Sequence, residues 1–281
     1  MELIRKRIAI SLLPVLRCPE KLKLEGYLDT SSDLFRCTRR DLEYLTGCRI
    51  PPGLYRRRET LNMLEAAEKA MQRHRIRAVH ITDRAYPPLL RHIYDPPYLL
   101  YVQGAVPDFS KLTVALFGSS RPGRDACTAA EQAGRETAES GHVLAVPYLE
   151  GISRIALDSC LRSSGSAVAI LQGGCTGVGT ASTLSYEGGT VLCEHPYGIS
   201  DGFAFLRIAA GISHALLCIE APAGGMTRLV AGYALDEGRE LAVHSQGMGA
   251  PGGSGGNMLA EEGADVLSSI QELAVKVSVS E

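Results

Sequence analysis

The sequence predicts an α/β protein, with a small all-helical module leading into a Rossmann-like, doubly wound and mostly parallel sheet. Three observations predict it. From residue 112 onward, apolar runs alternate with helical stretches. The runs are continuously apolar, as strands covered on both faces are. Of the 30 glycines, 26 lie after residue 112. Glycine there serves the junctions where strands end and the backbone turns or approaches a ligand. Right-handed crossovers wind such a sheet in both directions.

Residues 1–75 read as the helical module. The chain opens MELIRKRIAISLLPVLRCPEK, with an apolar run over residues 8–16 behind basic residues. The run is short, contains Pro14 and lacks a small-residue cleavage site, so export is not expected and a cytoplasmic location is. No apolar stretch approaches the ~18 residues of a membrane span. Thr30-Ser31-Ser32-Asp33 and Thr38-Arg39-Arg40-Asp41 each open a short amphipathic helix. Pro51-Pro52-Gly53 breaks the chain, and residues 58–73 carry Leu61, Leu64, Ala67 and Met71 at helical spacing. Arg36, Arg39, Arg40, Arg56, Arg57 and Arg58 cluster around the turns. They read either as a solvated face or as phosphate contacts of a small SAM- or helix-hairpin-helix-like module.

Residues 76–112 read as a Pro-rich connector. Residues 76–81 have a strand pattern. Pro87-Pro88 and Pro96-Pro97 bar helix before them and send the stretch extended over a surface. Residues 113–281 form the Rossmann-like domain. Strands are expected at 112–117, 142–146, 167–171, 190–194, 215–220 and 240–244. Helices are expected near 124–139, 152–163, 203–213 and 227–237, with another at 257–262. Residues 273–279 alternate like an edge element that could pair with another subunit.

Charge divides along the same boundaries. The net of -2 excludes a simple polybasic nucleic-acid binder. Residues 1–80 carry +7 and residues 113–281 carry -9, so the two parts should meet different partners. The 8 cysteines include no Cys-x-x-Cys pair and read as buried reduced thiols. Cys193 and His195 have the wrong spacing for a zinc site, so no metal and no cofactor are expected.

Three stretches could carry chemistry. Gly118-Ser119-Ser120-Arg121, followed by Pro122-Gly123-Arg124, ends the first domain strand and opens a helix. Serine hydroxyls and free amides there can hold a phosphate, and Arg121 can pair with it. The loop matches neither the dinucleotide fingerprint nor a Walker A loop. Gly173-Gly174-Cys175-Thr176-Gly177-Val178-Gly179-Thr180 resembles the phosphate loop of cytokinin-activating phosphoribohydrolases. Gln172 stands where their proline would be, and the stretch reads as a plain loop. Gly252-Gly253-Ser254-Gly255-Gly256-Asn257 offers Ser254 and Asn257 as helix caps.

The order and spacing of these motifs resemble the DprA/Smf family, the DNA-processing proteins of bacterial transformation. The connector of that family is met by Tyr86-Pro87, Leu89-Leu90, Asp95-Pro96-Pro97, Leu100-Tyr101 and Gly104. Its strand-end loop is met by Phe117-Gly118-Ser119-Ser120, with Arg121 one place late. Its Arg-x-x-Ala-Gly-Leu-Ser segment is met by Arg207, Ala210, Gly211, Ile212 and Ser213. Its last glycine motif is met by Gly253-Ser254, Gly256-Asn257, Leu259 and Gly263-Ala264. The resemblance implies single-stranded DNA binding, a homodimer, loading of a RecA-type recombinase and no enzyme activity. It nominates Gly118, Ser119, Ser120, Arg121, Arg124, Gly151, Phe203, Arg207, Ser254 and Asn257 as DNA and phosphate contacts, with Arg207 lining the same crevice as Arg121. Phe203 is a candidate stacking ring, although beside Phe205 on a helical stretch such a ring is more often core. No C-terminal winged-helix domain is expected, since the sequence ends at Glu281.

The departures from the family fall where DNA should lie. The loop after the second domain strand keeps Gly151 and Ile152, gains Glu150, and has Ser153 in place of an aspartate. Leu157 replaces a histidine, Phe205-Leu206 replaces Arg-Asn, and Asp201 precedes them. Two alternatives follow. One is a scaffold that kept the fold and lost DNA binding. The other is a nucleotide or phosphoribosyl hydrolase with Glu150 or Glu194 as its acid or base.

Overall fold

The computed structural model describes residues 2–175, 184, 188–198 and 202–280. The module folds as α1 (Glu2–Ser11), α2 (Cys18–Tyr27), α3 (Ser31–Arg36), α4 (Arg39–Thr46) and α5 (Arg57–His74). Both expected helix starts are capping boxes. Thr30 accepts from the Asp33 amide while Asp33 accepts from the Thr30 amide, and Thr38 and Asp41 repeat the exchange. The apolar run near the start of the chain turns inward: Ile8, Ile10, Leu12, Leu13 and Leu16 are buried.

The strands are β1 (Arg77–His80), β2 (Leu99–Gln103), β3 (Thr113–Gly118), β4 (Val143–Pro147), β5 (Ser166–Ile170), β6 (Thr190–Cys193), β7 (Ala215–Ile219), β8 (Glu240–His244) and β9 (Asp265–Leu267). They form one sheet in the order β1-β2-β6-β5-β4-β3-β7-β8-β9. The β1–β2 and β2–β6 pairs are antiparallel, and every pair from β6 to β9 is parallel. The covering helices are α6 (Arg124–Glu139), α7 (Ile152–Arg162), α8 (Phe205–Gly211), α9 (Gly225–Asp236), α10 (Ser254–Glu261) and α11 (Ile270–Ser280). From β3 the chain winds outward through β4, β5 and β6. It then returns to the other side of β3 for β7, β8 and β9. The winding therefore reverses between β3 and β7, the place where sheets of this kind bind ligands at the carboxyl ends of the strands.

The structure revises several expectations. The stretch 76–112 does not simply run over a surface. Its two Pro-Pro pairs lie between β1 and β2, and every residue of β2 is buried between β1 and β6. Residues 273–279 are not an edge element but part of α11. Ile270, Leu273 and Val277 are buried at helical spacing, while Val275 and Val279 face out. Helix α10 starts at Ser254, with Gly253 as its cap and no side-chain cap bond, so neither Ser254 nor Asn257 caps it. Cys175 and Cys193 are joined by a disulfide, so these two are not the reduced thiols expected. Residues 176–180 of the glycine-rich loop, and Asp201, lie outside the described residues. No helix among the described residues is long and apolar enough to cross a membrane.

Glu25 ties the module to the sheet. Its carboxylate accepts from Arg7 Nε at 2.7 Å and from the Tyr98 hydroxyl at 2.8 Å. His80 Nε2 of β1 lies 3.1 Å away. Nearby, the Ser11 and Tyr101 hydroxyls are hydrogen-bonded at 2.8 Å. Burial opposes ionisation of Glu25, but the bonds from Arg7 and Tyr98 outweigh it and hold the carboxyl below its ordinary value. Burial lowers His80 despite the attraction of Glu25. A histidine lowered in the folded state takes up a proton on unfolding. Its contribution is complete above the unfolded value of about 6.5 and is lost as pH falls below it. Unfolding by urea should therefore need less denaturant at pH 5.5 than at pH 7.5. His80→Gln should shrink that difference without abolishing it, because burial also lowers His142 and His244. An unchanged pH dependence in the variant would remove His80 from this account.

Candidate functional site

The crevice is built from two strand exits. Beyond β3, the Ser119 amide donates to the Glu220 carbonyl at 2.9 Å, which continues the β3–β7 pairing by one residue. The Ser119 carbonyl in turn accepts the Ile152 amide at 3.0 Å, at the start of α7. This close approach demands glycine twice. A Cβ on Gly118 would strike the Ile219 carbonyl and come within 2.8 Å of the Ile152 side chain. Gly151 has φ +83°, and a Cβ there would lie 2.6 Å from the Ser120 Cα.

The side chains divide into those facing inward and those facing out. Ser119 is buried, and its hydroxyl accepts the Arg121 amide at 3.1 Å. That local bond shapes the turn. Ser120, Arg121 and Arg124 are exposed. Neither arginine forms an ion pair among the described residues. Ser254 joins from the far side of β7, its hydroxyl accepting the Ala223 amide at 3.0 Å. The Gly255 amide donates to the Ala221 carbonyl at 2.7 Å. Asn257 sits one turn along α10, half-buried, with its amide in the helix ladder.

Arg207 does not line this crevice. It donates to both oxygens of Glu194, at 2.9 and 2.7 Å, and its Nε reaches the Asp95 carbonyl at 3.1 Å. Glu194 follows β6, three strands from β3, or roughly 14 Å at ~4.8 Å per strand. The guanidinium is thus committed to a half-buried pair, with its Nη2 shared between both carboxylate oxygens. Phe203 stands in the turn before α8 and is 48% exposed, whereas Phe205 is 2% exposed. Phe203 is therefore a presented ring, on the Arg207 side of the edge. Glu150 is exposed beside Gly151. In the module, Arg36 pairs with Asp33, Arg39 with Glu43 and Arg56 with Glu59. Arg40, Arg57 and Arg58 are exposed. Among the described residues no three His, Cys, Asp or Glu side chains converge as a metal site.

The family model for DNA recombination-mediator protein A matches residues 77–278. The chain belongs to that family. Protein Smf of Borreliella burgdorferi is 23% identical over 98% of this chain and 88% of its own length. Protein Smf of Escherichia coli is 27% identical over 67% of this chain and 53% of its own. Among solved structures, DNA processing protein A from Streptococcus pneumoniae superposes with a TM-score of 0.75 at 23% identity, covering 98% of both chains. The Helicobacter pylori protein, described for its single-stranded DNA binding mode, gives a TM-score of 0.61 at 20% identity over 73% of this chain. Family membership and the doubly wound fold agree with the motif resemblance.

Sequence reasoning missed Glu220. It lies in an apolar strand run, ALLCIEAP, and reads as the end of a strand. Its signal was available: a lone acid closing a buried strand at the position where ligands meet such sheets.

The glycine contacts yield a direct expectation. Gly151→Ala forces a Cβ into the Ser119–Ser120 backbone at positive φ. It should cost about 1–3 kcal/mol of stability, read as a lower urea midpoint. A midpoint equal to that of the unaltered protein would mean that the two loops are not packed as described.

Proposed function

We propose that this protein binds single-stranded DNA along the carboxyl edge of its sheet, with Arg121 and Arg124 on backbone phosphates. The observation that carries the reading is the pair of exposed guanidiniums at the winding reversal of a domain that is otherwise acidic. The edge also presents Phe203, a ring on which a base can stack, and stacking plus a cationic track is how single strands are held without sequence preference. Ser120, Gly118, Gly151, Ser254 and Asn257 shape the edge around that track. The family description and the character of the Helicobacter pylori neighbour support the same reading. In this proposal the protein acts as a homodimer that protects incoming DNA and passes it to a RecA-type recombinase in transformation.

With few cations in the crevice, few counterions are released, so affinity should be modest and salt-sensitive. Arg121→Ala should weaken oligo-dT binding severalfold. It should also lower the slope of log affinity against log salt by about one unit. Fluorescence anisotropy across a salt series measures both. Binding indistinguishable from the unaltered protein would remove Arg121 from the site.

A scaffold without DNA binding is the second reading, favoured by the capture of Arg207 by Glu194. Saturable submicromolar binding of oligo-dT at low salt would sink it. The hydrolase reading is left with Glu150 as its acid or base, because Glu194 is committed to Arg207. Incubation with nucleoside monophosphates should release no base.

A further inference from the structure

Glu220 stands at the centre of the crevice, although no motif nominated it. It follows β7 directly, is 3% exposed and holds φ +44°, a conformation that a glutamate adopts only when its surroundings compel it. Both of its carboxylate oxygens accept the Gly123 amide, at 3.1 and 2.9 Å. Gly123 is the cap of α6 and provides no side-chain cap of its own. The carboxylate is enclosed from a second side as well. A Cβ on Gly252 would lie 2.6 Å from one of its oxygens, and one on Gly247 would strike the Glu220 backbone.

The amino end of a helix is where an outside anion would settle, drawn by free amides and the positive end of the helix dipole. Here the Gly123 amide, immediately ahead of the helix, is taken by the chain itself. An arriving phosphate would find the Gly123 amide already engaged and a buried negative charge behind it. We propose that Glu220 is a built-in anion that keeps free phosphate groups out of the α6 amino terminus. The crevice then selects a phosphodiester chain, gripped from outside by Arg121 and Arg124, over inorganic phosphate and mononucleotides. The preference for a chain rests on the DNA-binding reading above, whereas the exclusion of phosphate stands without it.

Glu220→Gly tests it, because glycine adopts φ +44° without strain and vacates the seat. Inorganic phosphate is titrated at constant ionic strength and followed by calorimetry. The variant should bind phosphate about tenfold more tightly than the unaltered protein. Should Glu220→Gly lose its cooperative thermal transition, Glu220→Gln takes its place. That variant keeps an acceptor for Gly123 and removes only the charge, and about threefold tighter phosphate binding is expected. Equal phosphate affinity in the unaltered protein and the folded variant overturns the proposal. A failure of oligo-dT to bind any of these proteins would instead remove the DNA-binding reading and leave the phosphate result standing.

Discussion

One backbone hydrogen bond, from the Ser119 amide to the Glu220 carbonyl, organises the carboxyl edge of the sheet. At a winding reversal, adjacent parallel strands send their chains to opposite faces of the sheet, and the ends would otherwise splay apart. This bond holds them together one residue further. The Ser119 carbonyl can then take the first amide of α7, and the Glu220 side chain can cap α6. Gly118 and Gly151 are required because backbones approach where a Cβ would not fit. The exposed Arg121 and Arg124 are consequences of the same turn, since the buried Ser119 hydroxyl takes the Arg121 amide and leaves its side chain outside.

Charge separates the roles of the parts. The acidic total of the sheet domain is compatible with a local cationic site, because a field depends on which charges are unpaired at one place. Arg207 shows the opposite case. It bonds Glu194 at the end of β6 and the Asp95 carbonyl in the Pro-rich stretch. The Tyr86 hydroxyl donates to the Pro97 carbonyl close by in that stretch. Arg207, which its motif nominates as a DNA contact, thus holds the connector against the sheet. Glu25 does similar work, joining Arg7 of the module to His80 of β1 and to Tyr98 just ahead of β2.

Much of the architecture was legible in the sequence. Strand β8 falls where its apolar run predicts, and α6 spans the expected residues, because continuous apolar runs and helical spacing are local signals. The capping boxes at Thr30 and Thr38 were legible for the same reason. Residues 273–279 misled because Val275, Val277 and Val279 alternate in sequence, while the buried pair Leu273 and Val277 is spaced for a helix. The strand at 76–81 was legible, but 99–103 was not, because the prolines before it read as a surface connector and its partner β6 is distant in the chain.

The sequence by itself determined the class of fold, the family motifs and the loop that carries Arg121 and Arg124. These depend on periodicity, glycine placement and short spacings, all of which are local. Only the tertiary structure decided that Arg207 is spent on Glu194, that Phe203 is presented, and that Glu220 caps α6 from 97 residues away. Those outcomes follow from the order of strands in the sheet, which sets which side chains become neighbours. An isolated charge or ring in the sequence carries no record of the partner that the sheet will bring to it.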